Sequence, residues 1–245
     1  MTYGEFHLRL NLPLLALTGA SSLLAPWPSS IWATFSAICL LAVTFTTPWD
    51  NYAVFRGIWG FPEGKYAFRI GYLPVEEYGF FILQTMEVLL LCHGLTGLRG
   101  LRPAPTPPLR SAGVIAGLAV LLAAWILAGL WARHNLPRRA RYLFHLAYWF
   151  GPVLALQWVL AAPLLVANLL LIVLPAVTVG TWLTLADLVA VRHGIWTFDE
   201  QQILGVKWRG ELPVEEILFF FSTSALVAQS YVVLAPAAAR PFVHA

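Results

Sequence analysis

The feature that most constrains the fold of this chain is a set of long apolar runs that are nearly free of charge. The run at 112–132 reads AGVIAGLAVLLAAWILAGLWA and holds no charged residue. About 20 consecutive apolar residues are enough for a helix to span the hydrocarbon core of a bilayer. Charged residues make up only 11% of the chain, against about 25% in soluble domains. The sequence therefore predicts an all-α integral membrane protein.

Proline, glycine and charged residues divide the apolar sequence into about seven transmembrane helices. They are expected at about 8–25, 29–47, 74–96, 112–132, 140–161, 163–186 and 213–235. The proline-rich, basic stretch at 99–111 is predicted to link the third helix to the fourth. Most of the 15 Arg and Lys residues fall on one side of this arrangement, and positive loops stay inside. We therefore expect a multi-pass protein of the cell membrane whose N-terminus is cytoplasmic.

Two segments of the chain repeat each other in order. DNYAVFRGIWGF begins at Asp50, and DLVAVRHGIWTF begins at Asp187. Further along, Leu-Pro-Val-Glu-Glu occurs at 73–77 and again at 212–216. So many ordered matches indicate an internal duplication. The loops before these motifs lie on the predicted cytoplasmic side.

The duplication predicts two three-helix repeats in the same orientation, joined by a connecting helix. The first repeat covers 1–98, the linker and connecting helix cover 99–139, and the second repeat covers 140–245. Parallel repeats are related by a pseudo-two-fold axis along the membrane normal. We expect a ligand cavity between them.

The repeated motif has two interpretations from the residues alone. Proline at the first helical position and acids in the first turn are typical of a helix start, and duplication would copy such a start. The functional interpretation rests on the carboxyl groups of Glu76, Glu77, Glu215 and Glu216, each pair of which is followed by aromatic residues. One hypothesis joins the two: in each pair, the glutamate that faces the cavity between the repeats carries a proton, and its neighbour caps the helix.

Carboxyl groups surrounded by aromatic rings suit a reaction in which an alkene is protonated and a carbocation must survive. Aromatic faces stabilise positive charge, and a dry site excludes the water that would quench it. Glu87 follows Glu76 by three helical turns, on the same face of the third helix, and an acid so deep in a membrane marks a functional site. The predicted substrate-binding residues are Trp59, Trp196, Phe80, Phe81, Phe219, Phe220 and Glu87.

Several functional classes lack their motifs in this sequence. No GxGxxG follows a strand, so we expect no nucleotide cofactor. The six histidines show no i, i+3 or i+4 pairing, and we expect neither a metal site nor any other cofactor. There is no basic stripe typical of nucleic-acid binding.

The quoted segments, PWDNYAVFRGIWGF with LPVEEYGFF and DLVAVRHGIWTF with LPVEEILFFF, resemble the flavin-independent lycopene cyclase family of bacteria, archaea and fungi. In that family the two halves are separate polypeptides or are fused. The resemblance implies cyclisation of the linear ψ-ends of lycopene to β-ionone rings, through γ-carotene to β-carotene, without net redox change. The catalytic residues that it implies are Glu76, Glu77, Glu215, Glu216, Asp50 and Asp187.

The expected partners follow from this resemblance. They are lycopene or a related linear carotenoid, membrane lipid, and either other enzymes of carotenoid biosynthesis or a second copy of the chain. A non-enzymatic alternative stays open, namely a parallel-repeat membrane carrier or receptor whose acidic cluster binds a cation or a proton. Conversion of the ligand, as opposed to binding alone, distinguishes the two classes.

Overall fold

The computed structural model describes residues 1–238 and begins with a helical segment in three consecutive parts. Helix α1 (Tyr3–Phe6) leads through a π-helical turn (His7–Asn11) into α2 (Leu12–Ser22). A capping box starts α1, since the Thr2 hydroxyl accepts a hydrogen bond from the Glu5 N–H and the Glu5 carboxylate accepts one from the Thr2 N–H. The helix predicted at 8–25 therefore begins five residues earlier and ends at Ser22.

Six further helices within the described chain are long and apolar enough to cross a membrane. They are α3 (Ser29–Phe55), α4 (Val75–Arg99), α5 (Ala112–Asn135), α6 (Arg141–Ala167), α7 (Leu169–Arg192) and α8 (Val214–Ala238). The prediction of an all-α, multi-pass membrane protein is confirmed. The N-terminal helical segment is not among the six, so a seventh span stays a prediction.

The predicted ends of two helices are wrong. Both helices are longer than predicted, and each extension contains an aspartate. α3 continues past Pro48 to Phe55, although an end was expected at residue 47, and α7 continues to Arg192, although an end was expected at 186. Membrane helices tolerate an internal proline because neighbouring groups satisfy the freed backbone. Asp50 and Asp187 thus lie in regular helix and not in connecting loops.

The predicted break between the fifth and sixth helices is displaced. Ala161 has a non-helical φ of −144°, two residues before Pro163, but the helix resumes and runs to Ala167. The chain turns at Asn168, whose side-chain amide donates to the Arg102 carbonyl and accepts from the Arg102 N–H. Because the Asn168 amide both donates to and accepts from the backbone of Arg102, it holds the linker against this turn.

Short strands connect the helices at one end of the bundle. β1 (Trp59–Gly60) pairs antiparallel with β4 (Thr197–Phe198), and thus joins the N-terminal and C-terminal parts of the chain. Two hairpins precede the repeated motifs: β2 (Arg69–Ile70) pairs with β3 (Leu73–Pro74), and β5 (Lys207–Trp208) pairs with β6 (Leu212–Pro213). These two-residue strands were not expected from the sequence.

The core of the bundle lies between α4, α7 and α8, with α2, α3 and α6 packed around them. Two glycines of α4 allow it to approach the N-terminal segment closely. A Cβ atom added at Gly94 would lie 2.3 Å from the carbonyl oxygen of Ser21, and a Cβ atom added at Gly97 would lie 2.1 Å from the carbonyl oxygen of Leu24. Small residues allow such helix contacts in membranes. α5 packs on α6 and leaves most of its apolar surface exposed, as expected for a helix that faces lipid.

Candidate active site

The site is built from two equivalent helix ends. Where α3 ends, the Gly57 N–H bonds the Val54 carbonyl and the Ile58 N–H bonds the Ala53 carbonyl, and Gly57 has φ +64°. This is a Schellman motif, which needs the left-handed conformation that glycine adopts without strain. The end of α7 repeats the arrangement with Gly194 at φ +59°.

Each helix end directs a tryptophan back to the aspartate of its own helix. The Trp59 indole N–H donates to Asp50 Oδ1 over 3.0 Å, and the Trp196 indole N–H donates to Asp187 Oδ1 over 2.7 Å. Asp50 is 2% exposed and Asp187 is fully buried. The repeated Asp and Gly-Ile-Trp residues therefore act together: the glycine turns the chain, the isoleucine covers the helix end, and the tryptophan binds the acid.

The first glutamate of each repeated motif binds the backbone of the loop that precedes it. Glu76 Oε1 accepts a hydrogen bond of 2.8 Å from the Ala67 N–H, and Glu215 Oε1 accepts one of 2.7 Å from the Leu204 N–H. Both loops are thereby held against the start of a helix. One oxygen of each carboxyl group is thus a structural acceptor, whereas the other, Oε2, is buried and has no hydrogen-bond partner among residues 1–238.

The second glutamate of each motif has a tyrosine partner and an aspartate neighbour. The Tyr3 hydroxyl donates to Glu77 Oε2 over 2.7 Å, and the Tyr142 hydroxyl donates to Glu216 Oε1. The Glu77 carboxyl lies beside that of Asp50. The Glu216 carboxyl likewise lies beside that of Asp187. Two buried Asp–Glu pairs result, one from each half of the chain.

Both halves line one small cavity, which we call the central cavity. Its volume is about 40 Å³. Its polar lining comprises Tyr3, Asp50, Glu77, Tyr142 and Glu216. A cavity of this size holds a water molecule or two. A larger ligand can therefore bind only if the aromatic side chains around the cavity move apart.

Aromatic contacts cross between the two halves. Tyr3 packs edge-on against Trp196, with ring centroids 5.1 Å apart, and Tyr142 packs against Trp59 at 5.0 Å. Each tyrosine thus bonds a glutamate of its own half and contacts the tryptophan of the other half. The pairing of β1 with β4 brings the tryptophans into these positions.

The phenylalanines that follow the motifs occupy different positions. Phe80 and Phe220 meet edge-to-face at 6.2 Å, and Phe219 stacks on Trp49 at 5.4 Å. These three phenylalanines and Trp49 line the central cavity. Phe81 is buried but packs against Tyr78 and does not line the cavity.

Glu87 does not reach the central cavity. It lies ten residues beyond Glu77 on α4, which corresponds to about 15 Å along a helix. It is fully buried, and neither of its carboxyl oxygens has a hydrogen-bond partner among residues 1–238. The structure therefore separates Glu87 from the other predicted site residues, and its part in substrate binding stays a prediction.

Sequence reasoning missed Tyr3, Tyr142 and Trp49. Tyr142 follows Tyr3 by 139 residues, the same interval that separates Glu216 from Glu77. Because Asp187 follows Asp50 by 137 residues, the repeat comparison aligns the two tyrosines only when a two-residue gap is allowed before the aspartates. Trp49 has no aromatic counterpart, since Ala186 precedes Asp187, and the repeat gives no signal for it.

Both ring nitrogens of His7 have hydrogen-bond partners. Its Nε2 lies 2.9 Å from the Glu76 carbonyl oxygen and its Nδ1 lies 3.0 Å from the Asn11 amide nitrogen. These contacts suit a neutral ring that donates from Nε2 and accepts at Nδ1.

Comparison with known proteins identifies relatives along most of the chain. The lycopene beta-cyclase of Halobacterium salinarum is 34% identical over 204 residues, which are 82% of this chain and 81% of that protein. The bifunctional lycopene cyclase/phytoene synthase of Blakeslea trispora is 31% identical over 230 residues, 90% of this chain and 36% of that protein. The bifunctional lycopene cyclase/phytoene synthase of Sporisorium reilianum is 30% identical over 239 residues, which are 94% of this chain and 34% of that protein.

The chain thus spans about a third of the fungal bifunctional proteins and most of the archaeal cyclase. No family model matches the sequence. No solved structure matches it either. The similarity to the archaeal cyclase extends over about four fifths of both proteins, and so the chain belongs to the lycopene cyclase family found in archaea and fungi.

Proposed function

We propose that this chain converts the linear ψ-ends of lycopene to β-ionone rings, giving γ-carotene and then β-carotene. As a member of the lycopene cyclase family, the chain is an enzyme of carotenoid biosynthesis. The names of its archaeal and fungal relatives support lycopene as the substrate. The observation that carries the mechanism is two buried Asp–Glu pairs, one from each half, beside a single aromatic cavity that Asp50, Glu77 and Glu216 line and Asp187 does not.

The first step is protonation of the substrate. Two carboxyl groups in contact in a buried site share a proton, because two adjacent negative charges repel each other strongly there. The Asp50–Glu77 pair or the Asp187–Glu216 pair donates this proton to the terminal double bond of a ψ-end. The electron pair of that double bond forms the new C–H bond and leaves a cation on the neighbouring carbon.

Ring closure and proton loss complete the isomerisation. The second double bond of the ψ-end attacks the cation, which forms the six-membered ring and moves the charge to the adjacent ring carbon. A carboxylate of the site then removes the neighbouring ring proton, and the electrons of that C–H bond form the ring double bond. One proton enters and one leaves, so no oxidant, reductant or cofactor is consumed.

The aromatic lining supports the cation between these steps. Trp59, Trp196, Phe219 and Phe220 all line the central cavity. A desolvated cation on an aromatic face gains about 2 kcal/mol, and the surrounding side chains exclude bulk water. Tyr3 and Tyr142 act as positioning residues, since each hydroxyl fixes one oxygen of its glutamate.

We further propose the repeat architecture and its boundaries. A first repeat at 1–98 and a second at 140–245 flank the connecting segment 99–139, and the N-terminal helical segment supplies the seventh span. Residues 239–245 of the second repeat lie outside the described residues. Matching Trp–Asp, Tyr–Glu and Glu–backbone hydrogen bonds support the duplication. The shared lining of the central cavity supports one site for both ends of lycopene.

The orientation and partners are part of the same proposal. The Tyr3 N–H donates to the Lys65 carbonyl over 2.7 Å, so the N-terminus lies at the same end of the bundle as the first motif loop. We assign this end to the cytoplasmic side of the cell membrane. Membrane lipid surrounds the chain, and other carotenoid-biosynthesis enzymes or a second copy of the chain are its expected protein partners.

The test is conversion of lycopene by the purified protein in detergent, with no flavin or nicotinamide added. The expected products are γ-carotene and then β-carotene, separated by chromatography. A carrier or receptor would bind lycopene and return it unchanged. Binding without any cyclic product would therefore overturn the proposed reaction.

A further inference from the structure

A second and much larger cavity lies between α3, α5 and α6, and we call it the lateral cavity. Its volume is about 750 Å³, within the range of small-molecule binding sites. Trp49 forms part of its wall and also lines the central cavity.

Three arginines from three helix ends line the lateral cavity. Arg56 caps the end of α3, Arg133 lies in the last turn of α5, and Arg141 begins α6. None of the described residues that line the cavity is an aspartate or glutamate. These arginines are also absent from the salt bridges within residues 1–238, whereas Arg9, Arg138, Arg192 and Lys207 each have an acidic partner. Three arginines thus line one cavity, and none of them has a carboxylate partner among residues 1–238.

The remaining wall is mainly apolar and aromatic. It includes Trp49, Tyr52, Phe144, Tyr148 and Trp149. An arginine cluster at helix ends lies at headgroup depth, and guanidinium groups bind phosphate through paired hydrogen bonds. Basic pockets between membrane helices bind anionic lipid headgroups for this reason. The aromatic wall adds a surface for a hydrocarbon chain, which free phosphate does not need.

We propose that the lateral cavity binds one anionic phospholipid. Its phosphate contacts Arg56, Arg133 and Arg141, and an acyl chain lies along the aromatic wall between α3 and α6. The inference does not depend on the cyclase reaction, because it rests on charge, volume and lining alone.

The test measures thermal unfolding and native mass spectra of the purified full chain in detergent. Phosphatidylglycerol, phosphatidylcholine and inorganic phosphate are added separately at equal phosphate concentration. A ligand present at 100 times its Kd raises Tm by roughly 5 °C or more in a chain of this size. We expect that rise, and one retained lipid per chain, with phosphatidylglycerol only.

Variants locate the site. Replacing Arg56, Arg133 and Arg141 together by Gln should abolish the Tm rise and the retained lipid. A matched control replaces Arg99, Arg102 and Arg110 by Gln, which removes the same charge at the opposite end of the bundle and should leave both signals unchanged. Because Arg141 bonds the Gln202 side chain, the double variant Arg56→Gln/Arg133→Gln provides a second test that keeps this contact, and it should weaken lipid retention at least tenfold.

Three outcomes would overturn the proposal. Equal stabilisation by the two lipids would mean that charge is not recognised. A rise with inorganic phosphate alone would mean that the cavity takes a free anion. An unchanged response to phosphatidylglycerol in the folded arginine variants would place the lipid elsewhere.

Discussion

The two glutamates of each repeated motif differ in what their carboxyl groups contact. Glu76 and Glu215 accept backbone N–H groups from the preceding loops, whereas Glu77 and Glu216 face the central cavity with a tyrosine and an aspartate. The first member of each pair therefore binds the preceding loop and does not cap its own helix, and the proton-carrying role of the second member stays a prediction. Residue type alone does not distinguish them, because the two glutamates are adjacent and identical.

Replacement of the glutamates by glutamine tests this division. Glu77→Gln and Glu216→Gln keep the shape but remove the exchangeable proton, so we expect each to lower the cyclisation rate by about 10²–10⁴-fold, the usual contribution of a general acid or base. Glu76→Gln and Glu215→Gln retain a carbonyl oxygen that accepts the loop N–H, and they should keep activity within several-fold. The measurement is γ- and β-carotene formed per unit of folded protein. Equal losses at all four positions would contradict the division.

The tyrosines can be tested in the same assay. Tyr3→Phe or Tyr142→Phe removes a hydroxyl that donates to a buried carboxyl. Such a bond contributes about 1.5–3 kcal/mol, so we expect a loss in kcat of roughly 10-fold or more with little change in KM. His7→Ala is a control for packing beside the same glutamate motif, and its effect should fall on Tm. A Tyr→Phe variant that loses stability but retains kcat would show a merely structural role.

At the scale of elements, the turn after α3 and the turn after α7 position the site. Both are Schellman motifs with glycine in the left-handed conformation, and both direct a tryptophan to an aspartate. β1 and β4 then pair directly beyond these turns. Loss of one turn should therefore disturb a carboxyl pair and the contact between the halves together.

Alanine at these glycines tests the role of the turns. Gly57→Ala and Gly194→Ala place a Cβ at positive φ, where other residues cost about 1–2 kcal/mol. The expected result is a fall in Tm of roughly 2–8 °C together with reduced cyclisation. Gly113→Ala, in the first turn of α5 and with no atom near the added Cβ, should leave cyclisation unchanged and should not lower Tm, since alanine is favoured over glycine in a helix. Full activity with a lowered Tm would separate the turns from the chemistry.

The sequence predicted the helical elements better than their ends. The length of the apolar runs and the internal repeat locate the long helices. The end predicted at residue 47 is wrong, because α3 continues through Pro48. The membrane and neighbouring helices decide whether a proline ends a helix, and neither can be derived from local sequence. The pairing of β1 with β4 could not be predicted from local sequence either, because it joins segments that are far apart in the chain.

For the whole molecule, each half supplies part of the lining of the same central cavity. Tyr3 and Glu77 come from the first half, and Tyr142 and Glu216 come from the second. The repeat predicted that a cavity would form between the halves, but it could not predict that each tyrosine packs on the tryptophan of the opposite half. Such cross-contacts depend on the relative position of two units.

A variant confined to one half tests whether the site is shared. Asp50→Asn/Glu77→Gln removes the acid pair of the first half and leaves that of the second intact. We expect the variant to form neither γ-carotene nor β-carotene, because the cavity loses part of its proton-transfer set. The equivalent variant Asp187→Asn/Glu216→Gln should behave alike. Retention of about half the wild-type rate in each variant would indicate two independent sites.

In the proposed reaction, a carboxyl group of the protein supplies the proton that starts cyclisation. The most direct measurement is the mass of γ-carotene made by the purified protein after equilibration in D₂O, without added cofactor. We expect one deuterium in the newly formed ring, because the buried carboxyls exchange with solvent before they donate. γ-Carotene formed at the normal rate without deuterium would contradict it, since the added hydrogen would then have come from the substrate itself.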